Sequence, residues 1–407
     1  MRYPAESVTE RRKAPEATFL VTGATGFLGS HIAGELLRRG YELVLLCRPK
    51  GEVSAKARVI RLLSWLGLES RHRSRARVVE GSVDRPRFGL DEKQYERLIS
   101  EVHDVFHCAA DTSFADRHRE RIEAANITGA QHVMEFAKAA GGCSFIHHIS
   151  TAYVAGKREG HCPEAWEETS DFHNVYEETK YGAEQLLLRD CREGGIRLNI
   201  YRPSIVYGDS TSGRTFRFNA LYYPVKVIHY LQNLYLRDIH ENGGKYAAQM
   251  GVSLDGDGTL SLPIRVERNP RGILDVIPVD FFVRAVMAIM DLSLDGGIFH
   301  IVSDRGTSLE KIIDFIQRFF RISGIETRPA KSDDEDGGDA KTPLEVLVDG
   351  YLDVYRPYMM DTRKFDHDRT ASLLRAKRVE CPELDYPVFE RCMRYALATD
   401  WGRRISI

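Results

Sequence analysis

The amino-acid sequence predicts an α/β fold in which helices cover both faces of a doubly wound parallel sheet. Two observations predict it. Between residues 18 and 202, short apolar runs of strand character alternate with longer helical patterns, which is typical of right-handed βαβ units. A glycine-rich segment, TGATGFLG at 22–29, follows the first of these runs and opens the first helix. Six strands in this alternation indicate a Rossmann-type architecture, to which the C-terminal half adds a smaller, mostly helical lobe.

The strands and helices follow one another in a regular order. Apolar and β-branched residues bounded by turn residues predict strands at 18–21, 42–47, 76–80, 102–107, 144–150 and 198–202. Apolar residues at helical spacing predict helices at 28–39, 53–66, 119–140 and 176–193. Gly40 ends the first helix, because glycine is the preferred residue just beyond a helix C-terminus.

The expected domain organisation follows from where this alternation begins and ends. Residues 1–16 are expected to be a disordered leader, and residues 17–215 to form the sheet domain. Residues 270–305 should return to that domain, because 276–279 and 298–302 have strand character. Residues 216–269 and 306–407 should form a substrate-binding lobe, with an aromatic-rich segment at 216–236. The acidic, glycine-containing stretch at 331–341 is expected to be a flexible loop.

Composition excludes several classes of protein. Among 407 residues, 57 are Lys or Arg and 59 are Asp or Glu, so no net charge favours nucleic acid. No apolar run is long enough for an integral membrane segment, and the polar N-terminus is not a secretory signal. The 7 cysteines are scattered, odd in number and form no C-x-x-C pair. We therefore expect reduced thiols, a cytoplasmic location and no metal site.

The glycine-rich segment predicts a phosphate-binding turn. Gly23 permits a tight turn, Gly26 lets the backbone approach a pyrophosphate, and Gly29 lets the helix pack close to the strand. Unpaired N–H groups at the helix N-terminus attract the phosphates. The predicted dinucleotide-binding residues of this turn are Gly23, Thr25, Gly26, Phe27, Leu28 and Gly29.

The end of the second strand indicates which dinucleotide binds. An NAD site places a carboxylate there, to accept hydrogen bonds from the ribose 2′-hydroxyl. This sequence has Arg48 and Lys50 instead, and Arg58 follows on the next helix. A guanidinium can pair with a 2′-phosphate, so the sequence predicts NADP or NADPH as the cofactor.

Three Tyr-x-x-x-Lys pairs occur in the chain, and one of them suits catalysis. The pair Tyr153 and Lys157 lies in a predicted loop, and Pro224 is expected to break any helix that joins Tyr222 to Lys226. Tyr176 and Lys180 open the helix before the sixth strand, one turn apart on one face. The Lys180 ammonium should lower the Tyr176 pKa, so that the phenol exchanges a proton with a carbonyl or alcohol oxygen, and it should hold the nicotinamide ribose. Thr151, at the end of the fifth strand, should bind that oxygen.

These motifs resemble those of the extended short-chain dehydrogenase/reductases. The matching elements are TGATGFLG at 22–29, HCAA at 107–110, NITG at 126–129, YEETK at 176–180 and RPSIVYG at 202–208. Within that superfamily the chain is most similar to the fatty acyl-CoA reductase and carrier-protein thioester reductase group. That similarity is in LVLLCRPK at 43–50, the segment 78–98, STAYV at 150–154 and RPSIVYGDSTSG at 202–213.

The resemblance implies further site residues. Ala109 and Ala110 should lie against the adenine ribose, and Asn126 should brace the loop after the fourth strand. The nicotinamide carboxamide should lie against Pro203, Ser204 and Ile205. The group usually has Asp after the glycine that ends the third strand, but Ser82 follows Gly81 here and Asp84 comes two residues later. Ser82 and the backbone of Val83 are then the expected adenine contacts.

The resemblance also implies a reaction. The expected activity is NADPH-dependent reduction of an acyl thioester, on CoA or on an acyl or peptidyl carrier protein, to an aldehyde and onward to an alcohol if a second reduction follows. A nucleotide-sugar epimerase or dehydratase, or a ketone or sterol dehydrogenase, on the same fold is the alternative. A non-catalytic NADP sensor would have no use for Thr151, Tyr176 and Lys180. The acyl chain, the carrier and the oligomeric state stay open.

Overall fold

The computed structural model describes residues 17–330 and 340–407, so the expected leader at 1–16 and most of the stretch at 331–341 lie outside it. The strands are β1 Thr18–Thr22, β2 Glu42–Cys47, β3 Ala76–Glu80, β4 Asp104–His107, β5 Phe145–Ile149, β6 His161–Cys162, β7 Arg197–Pro203, β8 Ile205–Tyr207, β9 Ser253–Leu254, β10 Leu260–Arg268, β11 Val276–Pro278, β12 Gly297–Ile301, β13 Ile322–Pro329 and β14 Lys364–Phe365. The helices are α1 Phe27–Arg38, α2 Ala55–Trp65, α3 Ser70–Arg73, α4 Glu92–Glu101, α5 Arg119–Glu123, α6 Gly129–Ala139, α7 Val175–Gly194, α8 Tyr222–Asn242, α9 Lys245–Gln249, α10 Val279–Leu292, α11 Leu309–Phe320, α12 Pro343–Leu352, α13 Arg356–Met359, α14 Asp368–Ala376 and α15 Tyr386–Ala398.

A parallel sheet forms the centre of the molecule. Within the described residues it has seven strands in the order β12-β7-β5-β4-β1-β2-β3. The chain runs outward from β1 to β3, returns to β4 on the other side of β1, and runs outward again. The carboxyl ends of β1 and β4 therefore border a crevice at the point where the strand order reverses, which is where such sheets bind ligands. The predicted Rossmann-type α/β fold is confirmed.

Both faces of the sheet are covered at its centre, which explains the almost continuous apolar run of β1 and β2. Successive side chains of a strand point to opposite faces. Phe19 and Val21 of β1 pack into a cluster with residues of α1 and α10. Leu20, between them, packs on the opposite face with residues of α6 and α7.

The second lobe has its own hydrophobic core. Strand β10 pairs with β13 in parallel and with β9 in antiparallel fashion, forming a small sheet. Side chains from α8, α11, α12 and α15 pack against it, among them the buried Leu231, Ile316, Leu344 and Phe389.

The structure differs from the sequence predictions in three elements. The predicted helix at 119–140 is α5 and α6, joined by a π-helical turn at Ala124–Thr128. The stretch at 298–302 joins the main sheet as β12, whereas β11 pairs with β8 in a separate two-stranded sheet. The expectation that Pro224 breaks a helix was wrong. Helix α8 begins at Tyr222, and proline is tolerated in a first turn because its missing N–H needs no helical partner there.

Candidate active site

The turn after β1 brings two strand ends and a helix N-terminus together. Gly23 has a φ of 68°, and a Cβ atom on it would lie 2.5 Å from the backbone nitrogen of Ala109. A Cβ atom on Gly29 would lie 2.4 Å from the Gly23 carbonyl oxygen. Thr25 and Gly26 complete the turn, and Phe27 and Leu28 open α1, whose N-cap makes no side-chain hydrogen bond. The first N–H groups of α1 are thus available to an anion.

Three guanidinium groups lie near the end of β2. Arg48 is exposed, and Arg58 of α2 donates a hydrogen bond to the Arg48 carbonyl oxygen at 2.5 Å. The pKa of Arg58 is lowered, first by burial and further by the positive charges of Arg48 and Arg217. Arg217 follows Phe216, whose ring contacts those of Phe27 and Trp65. Sequence reasoning missed Arg217, because it lies far along the chain in a loop that only the fold brings back.

After β3, Ser82 and Val83 already use backbone groups in hydrogen bonds within the protein, whereas Asp84 has an unpaired carboxylate oxygen. The Ser82 N–H donates to the Phe88 carbonyl oxygen at 2.9 Å, and the Val83 carbonyl oxygen is 2.7 Å from His132 Nδ1. Asp84 Oδ1 is buried and has no hydrogen-bond partner in the described part of the chain. An unpaired buried carboxylate oxygen is costly, so Asp84 is a candidate ligand-binding residue that was not among the predicted contacts.

Asn126 holds the loop after β4. Its side chain accepts a hydrogen bond from the Asp111 N–H at 2.7 Å, and donates to the Asp111 carbonyl oxygen at 3.0 Å and to Thr179 Oγ1 at 2.9 Å. The π-helical turn places Asn126 for these contacts. Ala109 and Ala110 precede Asp111, and the Ala109 N–H donates to Thr22 Oγ1 at 3.2 Å. The loop between β4 and α5 is therefore fixed to both β1 and α7.

Thr151 and Tyr176 meet at the carboxyl edge of the sheet. Thr151 follows β5, and its Oγ1 atom is 3.5 Å from the Pro203 carbonyl oxygen. Tyr176 lies in the first turn of α7, where the side chain of Asn174 caps the helix by accepting from the Glu177 N–H. Burial raises the pKa of Tyr176 to about 12, although a hydrogen bond with the Thr151 hydroxyl lowers it. Burial thus outweighs the lowering of the Tyr176 pKa that was expected from Lys180, and the protonated phenol is suited to donate a proton.

Lys180 lies one turn further along α7 and is 2% exposed. Its Nζ atom donates to the Ile149 carbonyl oxygen at 2.7 Å and lies 3.1 Å from His148 Nε2. Burial lowers the pKa of Lys180 to about 8, and the negative charge of Glu184 opposes that shift. The ammonium is thus close to its titration range at physiological pH.

Pro203, Ser204 and Ile205 join β7 to β8 beside Thr151. The Ser204 N–H donates to the Ile301 carbonyl oxygen at 3.1 Å, and the Ile205 N–H to that of Asp275 at 3.2 Å. Burial raises the pKa of the Asp275 carboxyl to about 6, although the hydrogen bond it accepts from the Ser303 N–H lowers it. Asp275 had no motif to mark it in the sequence.

A cavity of about 430 Å³ lies next to the catalytic edge. It is lined by residues of both lobes, among them Phe114, His173, Asn174, Val354, Arg356 and Met360. The Phe114 ring is 6.0 Å from the Tyr176 ring, measured between centroids. A substrate in this cavity would therefore approach the Tyr176 phenol.

The other two Tyr-x-x-x-Lys pairs have different surroundings. Tyr153 is buried against Tyr358, Phe365 and the guanidinium of Arg363. The Tyr222 hydroxyl accepts a hydrogen bond from the Gly208 N–H at 3.0 Å, inside the second lobe's core. These contacts place both tyrosines in packing roles.

Comparisons with known proteins bear on this site. An NAD-binding family model described as male sterility protein matches residues 21–286. A component of the linear gramicidin synthase of Brevibacillus parabrevis is 25% identical over 93% of this chain, and the chain spans only 7% of that protein's length. No helix in the described ranges has both the length and the apolar character to cross a membrane.

Solved structures share the fold at low identity. The terminal R domain from the myxalamid PKS-NRPS biosynthetic pathway is 21% identical, with a TM-score of 0.73 over 98% of this chain and 94% of that one. A thiolation-reductase di-domain from an archaeal non-ribosomal peptide synthetase is 16% identical, with a TM-score of 0.68 over 95% and 76%. UDP-glucuronic acid 4-epimerase from Bacillus cereus, in complex with NAD, is 19% identical, with a TM-score of 0.59 over 95% and 98%.

Proposed function

Because the chain belongs to the male sterility protein family, we propose that it is an NADPH-dependent reductase that converts acyl thioesters to aldehydes. The observation that carries the proposal is that Thr151 and Tyr176 lie together at the carboxyl edge of the sheet, with the buried Lys180 one helical turn from Tyr176. Two hydroxyl donors beside a cation suit a carbonyl oxygen on which negative charge develops. The adjoining cavity gives an acyl group access to them.

NADPH fits the residues at the opposite end of the crevice. Gly23 and Gly29 leave no room for a Cβ atom, so the backbone of the turn can approach a pyrophosphate closely. Arg48, Arg58 and Arg217 form a positive cluster that suits a ribose 2′-phosphate. Asp84 has a free carboxylate oxygen for an adenine amino group.

The chain's own residues account for the proton chemistry. NADPH supplies, when bound, the hydride that adds to the thioester carbonyl carbon. Thr151 and Tyr176 donate hydrogen bonds to the carbonyl oxygen, and Tyr176 then gives it a proton. The positive charge of Lys180 stabilises the phenolate that Tyr176 leaves behind. The C–S bond of the resulting thiohemiacetal breaks, which yields an aldehyde and a free thiol, and the same two donors fit the aldehyde in a second reduction.

The substrate is an acyl thioester on CoA or on an acyl or peptidyl carrier protein. The likeness to the thiolation-reductase di-domain supports a carrier-bound thioester. A nucleotide-sugar epimerase is the second candidate, because the epimerase structure covers nearly the whole chain. The three arginines argue against it, because the epimerase was solved with NAD, which lacks the 2′-phosphate that the cluster suits.

A stoichiometry measurement separates these functions. The purified chain is mixed with NADPH and a panel of acyl-CoAs and acyl-carrier proteins, and NADPH consumed is compared with thiol released. One NADPH per thiol indicates an aldehyde product, and two indicate an alcohol. The Tyr176→Phe variant is the matched control and should release little thiol. Turnover of a nucleotide sugar without net NADPH consumption would contradict the proposal.

A further inference from the structure

Two buried histidines lie behind Lys180, and the proposed mechanism does not use them. His148 is 0% exposed and His107 is 1% exposed, and their ring centroids are 5.2 Å apart. His148 lies on β5 and His107 on β4, so both point from the sheet towards α7. Burial, and then the charge of Lys180, lowers the pKa of each imidazole, so both rings are neutral.

The number of N–H donors on the Lys180 ammonium and the partners of those donors determine how this group is oriented. An ammonium has three N–H donors and no acceptor. One N–H is taken by the Ile149 carbonyl oxygen at 2.7 Å. The 3.1 Å contact with His148 takes a second, provided that Nε2 of the neutral ring is the acceptor and Nδ1 carries the proton. With two N–H groups fixed by the sheet, the direction of the third is fixed as well, and it is left for a ligand.

His107 supports this arrangement from behind. Its Nδ1 atom is 2.8 Å from Thr22 Oγ1, which also accepts from the Ala109 N–H. His107 Nε2 and His148 Nδ1 are buried and have no hydrogen-bond partner among the residues that the structure describes. Leaving such atoms unpaired costs stability, and an apolar side chain would avoid that cost. Packing alone therefore does not explain why two histidines occupy these buried positions.

We propose that His148 is a positioning residue of the catalytic site, whose Nε2 atom holds the Lys180 ammonium and aims its remaining N–H at the bound ligand. His107 holds the His148 ring against β4. This inference rests on the proposed function only in taking Lys180 to be part of the reducing site. The neighbour of His148 along β5, His147, points to the opposite face of the sheet and contacts the Tyr201 hydroxyl.

Removing the acceptor has a consequence for pH. Glu184, on the same helix, is the charged group that faces Lys180. The Cys108 thiol after β4, whose pKa burial raises to about 12, and the two histidines facing Lys180 are neutral. A hydrogen bond to an ammonium favours the charged form, so losing it lowers the pKa of Lys180 below about 8. Activity that requires the ammonium would then be lost at a lower pH than in the unaltered protein.

The experiment compares His148→Leu with His148→Gln in the full chain. The glutamine oxygen can take the place of Nε2 as an acceptor, whereas leucine fills the space without one. We expect His148→Leu to lower kcat about tenfold to a hundredfold by misplacing Lys180, and to move the alkaline limb of the kcat profile to lower pH. His148→Gln should restore most of kcat and most of the original position of the alkaline limb. The control His147→Gln should leave the alkaline limb of the pH profile unchanged. The proposal would be overturned if His148→Leu and His148→Gln had the same kcat and the same alkaline limb in the pH profile of kcat.

A measurement on the unaltered protein keeps the proposal testable if His148→Leu does not fold or if no thioester is turned over. Nuclear magnetic resonance of the isotope-labelled histidines should show His148 neutral, with the proton on Nδ1 and Nε2 accepting. A proton on Nε2 would overturn the proposal, whatever the substrate is. Failure of thioester turnover with the expected tautomer present would instead count against the proposed function.

Discussion

Single side chains from distant parts of the chain meet at the carboxyl edge of the sheet. Thr151 and Tyr176 lie together there, and burial raises the phenol pKa to about 12. Tyr176→Phe keeps the ring and removes the acid. We expect kcat to fall roughly 10²–10⁴-fold with NADPH binding little changed, as loss of positioned acid catalysis implies. Steady-state kinetics and a separate binding titration measure the two effects, and a larger loss in Tyr153→Phe or Tyr222→Phe would show that a different tyrosine is the acid.

The arginine cluster gives a second prediction at this scale. Arg48→Ala should weaken NADPH binding by about 1.5–3 kcal/mol and NADH binding far less, because only NADPH has the 2′-phosphate. Arg217→Ala should act in the same direction, since its charge reaches the Arg58 guanidinium. Arg71→Ala, on α3 and paired with Glu69, serves as the control. Equal weakening of both cofactors in Arg48→Ala would mean that the cluster does not bind the phosphate.

Sequence spacing singles out candidate residues that lie next to a motif and passes over those that do not. The Tyr176–Lys180 spacing and the strand end before Thr151 suffice to single out that set. Arg217 and Asp275 come from loops whose position depends on how the second lobe folds back. Asp84 was noted only as a displaced carboxylate, and its buried, unpaired oxygen becomes visible only in three dimensions.

At the scale of elements, the turn between β1 and α1 depends on close backbone approach. Gly29→Ala would place a Cβ atom 2.4 Å from the Gly23 carbonyl oxygen, so α1 must move away from the turn. We expect a lower unfolding temperature and a loss of the thermal stabilisation that NADPH gives. Gly194→Ala is a matched control, because its Cβ would meet only ordinary contacts at 3.6 Å near the end of α7. If NADPH raised the unfolding temperature equally in both variants, this turn would not be part of the cofactor site.

Element prediction succeeded where pattern and burial agree. The buried parallel strands have apolar runs bounded by turn residues, and the predicted strand bounds lie within two residues of β1, β2, β3, β4, β5 and β7. The π-helical turn at Ala124–Thr128 could not be predicted from the sequence, because its residues are of the same types as those of an ordinary α-helix. In helix α8, Pro224 lies in the first turn and does not interrupt the helix. Proline breaks a helix only when it lies beyond that turn.

At the scale of the whole molecule, the Tyr358 side chain links the second lobe to the start of helix α7. The Tyr358 hydroxyl, on α13, donates to Glu177 Oε1 at 2.9 Å and accepts from Asn174 Nδ2 at 2.8 Å. Both partners flank Tyr176 at the start of α7, and the Tyr358 ring lies 5.7 Å from that of Phe114. The segment that lines the cavity is thus fixed to the helix that bears the proposed proton donor.

Tyr358→Phe removes both hydrogen bonds and keeps the ring that packs against Phe114 and Tyr153. The buried Glu177 carboxyl, whose pKa burial already raises, then loses one of its donors, so the attachment of α13 to α7 weakens by about 1–3 kcal/mol. We expect KM for the acyl thioester to rise severalfold, because the wall of the cavity is less ordered, while NADPH binding at the far end of the crevice is unaffected. Tyr351→Phe, at an exposed position on α12, is the control. If Tyr358→Phe instead weakened NADPH binding and left KM for the thioester unchanged, the second lobe would act on the cofactor and not on the acyl substrate.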